Sequence, residues 1–122
     1  MAACPYHVRV FNWWDPKWPK GMNKSFNPDV SIRMRGVVEK CSFCYQRIDR
    51  GLALGLTPGV DKEATPACVV ACPVGARNFG DLNDPESEVS ILLRENPSFQ
   101  LRDDLGTSPR VHYLSPREEV TT

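Results

Sequence analysis

Cys41-Ser42-Phe43-Cys44 and, after 23 intervening residues, Cys68-Val69-Val70-Ala71-Cys72-Pro73 set the frame for every other part of this sequence. Cysteines three or four positions apart on one helical turn share a face, so each pair can aim two sulfurs at one centre. Four thiolates converging from two such turns can hold zinc or an iron–sulfur cluster. The spacing helps to choose. Structural zinc takes C-x2-C or C-x4-C pairs and gives no reason for a proline after the last cysteine. The x3-Cys-Pro ending fits iron–sulfur ligation, in which the fourth cysteine of a run crosses to a second cluster. Cys4-Pro5, preceded like Cys72-Pro73 by an alanine, repeats that ending. The pattern therefore favours iron–sulfur over zinc. A disulfide framework would leave one of the five cysteines over, and the pairs are too local for a secreted staple pattern. Unreactive structural cysteines do not account for a doubled motif.

Composition sets the outer limits. The chain has 122 residues, 15 basic and 15 acidic side chains, 41% hydrophobic residues, 11 prolines and 8 glycines. That length suits one small domain or part of a larger one. A balanced charge lacks the basic surface that nucleic acid requires, so no nucleic-acid partner is expected. No window approaches ~18 consecutive apolar residues, so any association with a membrane would run through partners. The hydrophobic fraction is too high for a wholly disordered chain, and the many turn residues imply stiffening by something other than a large core. Met1-Ala2-Ala3-Cys4-Pro5 lacks the basic and apolar regions of a signal peptide. It reads as the end of a C-x3-C-P motif, with the expectation that Met1 is internal to a longer chain.

The element pattern is broken by turn signals. Val8 to Phe11 reads as a strand, and weak alternation over Val30 to Val38, ending at Gly36, as a second. Between them Asn12 to Asn27 reads as an ordered loop anchored by Trp13, Trp14, Trp18 and Phe26, with core packing favoured over a partner surface. Asn27-Pro28-Asp29 is a turn signal. A short helix is expected over Cys41 to Gly51 with Gly51 as terminator, then a loop over Leu52 to Ala64. Thr65-Pro66 predicts a cap and first turn for a brief helix through Cys68 to Ala71, closed by Pro73. Val74 to Phe79 reads as a short strand. Asp84-Pro85 repeats the cap-plus-proline device for a helix over Pro85 to Glu95, stopped by Pro97. Val111 to Leu114 is a last strand, and the polar residues from Ser115 form a tail.

Lys40, Arg47 and Arg50 flank the cysteines and could offset a cluster's negative charge, though each is equally well read as a solvated surface charge. His7 and His112 are read as surface or strand residues rather than ligands. No Ser/His/Asp arrangement, phosphate loop or carboxylate pair stands out, so no catalytic site is expected on this chain.

Cys4-Pro5-Tyr6 with Val8-Arg9, Glu39-Lys40-Cys41-Ser42-Phe43-Cys44 with Arg47, and Pro66-Ala67-Cys68-Val69-Val70-Ala71-Cys72-Pro73 together resemble the four-cluster ferredoxin-type subunits of molybdopterin oxidoreductases and their relatives. Phe11-Asn12-Trp13-Trp14-Asp15-Pro16, Asn27-Pro28-Asp29-Val30 and Arg35-Gly36-Val37-Val38-Glu39-Lys40 look closer still to one member, the iron–sulfur subunit of bacterial alternative complex III, a quinol-oxidising membrane complex, and Leu105-Gly106-Thr107 with Pro109-Arg110-Val111 resembles that subunit's end. The resemblance implies an α+β, ferredoxin-like cluster-binding fragment with long ordered loops over residues 1–114, followed by a polar tail over 115–122. It implies 4Fe-4S clusters, with a 3Fe-4S form of one of them left open. By resemblance, Cys41, Cys44 and Cys68 hold three irons of one cluster, Cys72 completes the other cluster of that pair, and Cys4 completes a further one. The remaining ligands would come from an upstream part of the same subunit. A self-contained cluster on Cys41, Cys44, Cys68 and Cys72 stays open. The implied partners are that upstream part, a quinol-binding membrane subunit and c-type haem subunits, and the implied location is the periplasmic face of a bacterial inner membrane. The implied function is one-electron transfer along a wire of clusters. The alternatives are the electron-transfer subunit of a molybdenum reductase and a zinc-stabilised interaction module.

Overall fold

The computed structural model of the chain describes residues 1–28 and 30–116. The chain divides into two compact units, Met1–Ser42 and Phe43–Thr122.

The first unit is organised on a two-stranded antiparallel ladder. Strand β1, Val10–Phe11, pairs with β2, Val38–Glu39, in the register Val10 to Glu39 and Phe11 to Val38. Two further bonds extend the ladder, Asn12 N–H to the Val37 carbonyl at 2.9 Å and Gly36 N–H to the Asn12 carbonyl at 2.8 Å. Gly36 has φ +91°, which a side chain would resist. The second strand expected over Val30 to Val38 therefore begins only after that turn and runs past it. The Asn12 amide donates to Glu39 at 3.0 Å, and Glu39 also pairs with Arg33 at 3.0 Å. The expected turn at Asn27-Pro28-Asp29 includes Asp29, which lies outside the described residues.

The tryptophans do not form the core that the sequence suggested. Trp13, Trp14 and Trp18 are 63%, 79% and 51% exposed. They make shallow edge-to-face pairs instead, Phe11 with Trp13 at 4.5 Å and Trp18 with Phe26 at 5.0 Å. Between them the loop carries a short 3-10 turn, Met22–Ser25. An open groove there is lined by Trp14, Trp18 and Phe26.

The second unit holds the helices. Helix α1, Tyr45–Ala53, starts four residues later than expected, because Phe43 and Cys44 sit in the left-handed region at φ 55° and 54°. Gly51 does not end it. The terminator is Gly55, at φ +75°, with Leu56 N–H on the Gly51 carbonyl at 2.9 Å and Gly55 N–H on the Leu52 carbonyl at 3.0 Å. That pair of bonds is a Schellman stop. Gly51 is instead buried inside α1, where an added Cβ would lie 2.4 Å from that of Ala64. The expected loop over Leu52 to Ala64 ends in a 3-10 turn, Lys62–Ala64, which packs on α1 through this contact.

Helix α2, Ala67–Val70, is one turn long, and Pro66 rather than Thr65 stands at its cap position. Thr65 is buried, and its hydroxyl donates to the Asp61 carbonyl at 2.7 Å and accepts from Gly59 N–H at 3.0 Å. A cap on α2 would have cost it both bonds. The described residues Val74 to Phe79 form no strand. That segment is pinned instead by Gly59, whose missing Cβ would fall 2.0 Å from the Phe79 carbonyl oxygen. Phe79 also meets Phe43, ring centroids 6.0 Å apart.

Helix α3, Glu88–Glu95, is shorter than Asp84-Pro85 suggested and is capped by Ser87, whose Oγ accepts from Ser90 N–H at 3.4 Å. Asp84 makes the preceding turn, its carboxylate accepting from Glu86 N–H at 3.0 Å. After Pro97, β3 (Ser98–Phe99) pairs antiparallel with β4 (Tyr113–Leu114), Ser98 opposite Leu114 and Phe99 stacked on Tyr113 at 5.3 Å. This is the last expected strand, shortened to its final two residues. His112, just before β4, lies 3.3 Å from the Gln100 amide nitrogen. Of the polar tail, Ser115 N–H bonds the Pro97 carbonyl at 2.9 Å, and residues 117–122 lie outside the described residues. The described residues contain no helix long and apolar enough to cross a membrane.

Candidate metal centre

The five cysteines occupy turns and helix ends, where sulfurs can be presented without burial. Cys4 lies in the opening turn of the first unit, and Cys41 is exposed just after β2, its carbonyl accepting from Lys40 Nζ at 3.1 Å. Cys44 forms the N-cap of α1, Cys68 is the exposed second residue of α2, and half-buried Cys72 follows the end of that helix. None of the five forms a disulfide. Among the described residues, no three histidine, cysteine, aspartate or glutamate side chains converge closely enough to hold a metal ion. Within the second unit, Cys44, Cys68 and Cys72 are therefore not drawn into one centre.

Local folding nonetheless prepares individual sulfurs. Two successive non-glycine residues with positive φ, Phe43 and Cys44, form the Cys-x2-Cys turn. Such backbone costs about 1–2 kcal/mol per residue and persists only where its surroundings impose it. The Cys44 carbonyl opens α1 by accepting from Arg47 N–H at 2.8 Å. Arg47 then reaches back, donating from Nε to the Thr65 carbonyl at 3.0 Å and from Nη2 to the Lys62 carbonyl at 2.7 Å. Its charge is thus spent on two carbonyls that fix the approach to α2, so Cys44 and Cys68 are held on a common scaffold. Arg77 Nη1 lies 3.5 Å from the Cys68 carbonyl.

Cys72 is surrounded by donors. The backbone N–H of Ala76 does most to hold its thiol below the usual thiol range; desolvation is the next effect and opposes it, and the N–H groups of Val74 and Arg77 and the Arg77 charge add to the lowering. Cys4 is shifted the same way, by backbone N–H groups of Tyr6 and Val8, with help from the Arg9 side chain. Both sulfurs are stabilised as thiolates, the form that metal and cluster ligation requires. Thiolates are the donors that an iron–sulfur group takes, and Cys4 and Cys72 are the two cysteines whose surroundings favour that form.

Sequence reasoning missed three residues that build this scaffold: Gly51, Gly59 and Thr65. A glycine inside a helical pattern was the available signal for the first, since helices tolerate glycine poorly without a packing reason. Thr65 offered none beyond its place beside Pro66.

Known proteins match closely. The chain is 50% identical over 126 residues to the menaquinone reductase iron-sulfur cluster-binding subunit of Nitratidesulfovibrio vulgaris, covering 98% of this chain and 49% of that one. It is 49% identical over 116 residues to the Hdr-like menaquinol oxidoreductase iron-sulfur subunit 1 of Archaeoglobus fulgidus, covering 93% and 40%. Nearly the whole chain is thus similar to part of these iron–sulfur subunits. The arsenate respiratory reductase iron-sulfur subunit of a Shewanella species is 35% identical over 142 residues, covering 93% of this chain and 56% of that subunit. The chain thus spans about half the length of the curated relatives it matches. No family model matches it.

Proposed function

We propose that the chain carries electrons through iron–sulfur clusters inside a membrane-associated respiratory complex that oxidises or reduces a quinone. The observation that carries this reading is the cysteine set itself, Cys-x2-Cys and two Cys-Pro turns with amide-stabilised sulfurs, on a chain half identical to a menaquinone reductase cluster-binding subunit. A ferredoxin-like arrangement would have Cys41, Cys44 and Cys68 hold one 4Fe-4S cluster, Cys72 complete its neighbour and Cys4 complete a third. Ligands from outside residues 1–122 would fill the remaining positions. One of the clusters could equally take the 3Fe-4S form.

When bound, an iron–sulfur cluster supplies one-electron chemistry. This chain's residues do the rest. Cys4 and Cys72 offer thiolates inside rings of N–H donors, and such hydrogen bonds set the potential of the bound group. Arg47 and the Gly51–Ala64 contact keep Cys44 and Cys68 in place. The stretches that resemble the iron–sulfur subunit of alternative complex III favour that complex, with a quinol-binding membrane subunit, c-type haem subunits and a periplasmic location. Similarity to an arsenate respiratory reductase subunit favours the second reading, service to a molybdenum reductase.

The test is the iron, acid-labile sulfide, zinc and molybdenum content of the native complex, purified without oxygen. Iron and sulfide without molybdenum support the quinol-oxidising reading, and molybdenum in stoichiometric amount moves the chain to the reductase. Zinc without sulfide would replace both with a zinc-stabilised module. In the same complex Cys68→Ser is expected to remove at least one low-temperature paramagnetic signal. An unchanged iron-to-protein ratio and unchanged spectra would remove Cys68 from the ligand set.

A further inference from the structure

The two Cys-Pro turns agree well beyond the three residues Ala-Cys-Pro that relate them in sequence. In Cys4-Pro5-Tyr6-His7-Val8-Arg9 and Cys72-Pro73-Val74-Gly75-Ala76-Arg77, the cysteine N–H bonds the carbonyl three residues back, Met1 at 3.0 Å and Val69 at 3.1 Å. The cysteine carbonyl accepts from the residue three ahead, His7 N–H at 3.3 Å and Gly75 N–H at 3.4 Å. That residue is left-handed in both, φ +51° and +62°. The N–H groups of the second and fourth residues after each cysteine point at its sulfur. The fifth residue is arginine in both. The Arg9 side chain acts on the Cys4 thiol and the Arg77 charge on the Cys72 thiol, each as a lesser effect beside the backbone donors, and Arg77 Nη1 lies 3.5 Å from the Cys68 carbonyl.

His7 makes the repeat informative. Glycine takes positive φ freely, but histidine pays a steric cost there. The turn keeps its shape at Cys4 despite that cost, so the shape is imposed rather than incidental. Two backbone donors stand at the same places in both turns, with a third from the Arg77 N–H at Cys72, and each arginine brings a full positive charge to its turn. A cluster gains a negative charge on reduction, so a nearby fixed cation favours the reduced form.

We propose that the two Cys-Pro turns are one device used twice, and that Arg9 and Arg77 are its positioning residues, each raising the reduction potential of the cluster completed by the cysteine five residues before it. This rests on the iron–sulfur reading above, and the experiment separates the two. The native complex is prepared with Arg9→Leu, Arg77→Leu and the corresponding lysine variants. Iron and sulfide are counted, and each centre is titrated by low-temperature paramagnetic resonance at controlled potential. Iron and sulfide are expected to stay at the unmodified level. Each leucine variant should shift one centre, a different one for each, with the reduced-to-oxidised ratio at fixed potential falling about tenfold, or about 59 mV for one electron. Lysine should restore most of the shift. Retained clusters with unmoved potentials would overturn the proposal, as would both variants shifting the same centre or a leucine variant losing iron that the lysine variant keeps. Absence of sulfide from the unmodified complex would overturn the iron–sulfur reading, and this proposal with it.

Discussion

Cys72 shows how one residue acquires chemistry from its backbone. Pro73 removes one N–H from the chain, and the left-handed Gly75 turns the following amides back toward the sulfur. The negative thiolate is favoured above all by the Ala76 N–H and further by the Val74 and Arg77 N–H groups and the Arg77 charge, which together outweigh the opposing effect of burial. The sign follows. A thiol whose folded-state pKa is depressed gives up its proton at lower pH in the folded chain than in the unfolded one. The linked stability is therefore present above the unfolded-state pKa and is lost as pH falls through the folded-state value. In the metal-free chain, alkylation of Cys72 by iodoacetamide should show a pH midpoint below that of free cysteine, and denaturant should return it to the ordinary value. A midpoint that denaturant leaves unchanged would mean that the amide ring does not act on the sulfur.

At the scale of elements, the decisive contact is α1 against the 3-10 turn Lys62–Ala64. Gly51 allows it, because a Cβ there would meet the Ala64 Cβ at 2.4 Å and its Cα at 2.7 Å. Two effects of opposite sign meet in Gly51→Ala. Helix propensity alone would stabilise by about 1 kcal/mol, whereas overpacking of a close contact costs about 1–3 kcal/mol. Contact with backbone leaves little room to yield, so the variant should lose net stability, read as a lower denaturation midpoint at unchanged slope. A raised midpoint would show that α1 and the turn move apart freely. This contact also marks where the sequence was legible and where it was not. Helix α1, the one-turn helix at Cys68 and the β1 and β4 strands followed from local pattern, since capping, proline and alternation act within a few residues. Gly51 as spacer and Thr65 as a buried hydrogen-bond hub depend on partners well beyond one turn or on the fold around them. The strand expected over Val74–Phe79 failed for the same reason: its pattern is strand-like, but no neighbouring strand among the described residues accepts it, and Gly59 holds it from the side. For the cysteines, spacing named the chemistry but not the partners, because ligand sets assemble from distant turns.

For the molecule as a whole, the question is what holds so thin a core together. Among the described residues, the first unit has no fully buried residue, and the second buries only Gly51, Ala64, Thr65 and Pro66. Gly51 has no side chain and Ala64 a single methyl, Pro66 is the largest fully buried side chain among them, and Thr65 contributes mainly through its two hydrogen bonds. Chains that bury this little usually depend on metals, cross-links or partner surfaces, and none of the five cysteines is in a disulfide. Ligation of cysteines at both ends of short turns would act as the missing cross-link, and its binding free energy would then be folding free energy. The complex containing this chain should therefore lose structure when its iron is removed. Chelation with oxidation of the clusters is expected to lower the melting temperature and broaden the transition, with α1 and α3 losing protection from hydrogen exchange first. Reconstitution with iron and sulfide should reverse both effects. An iron-free preparation that melts at the same temperature and with the same sharpness would mean that partner surfaces alone support the fold, and that the clusters are carried by it rather than built into it.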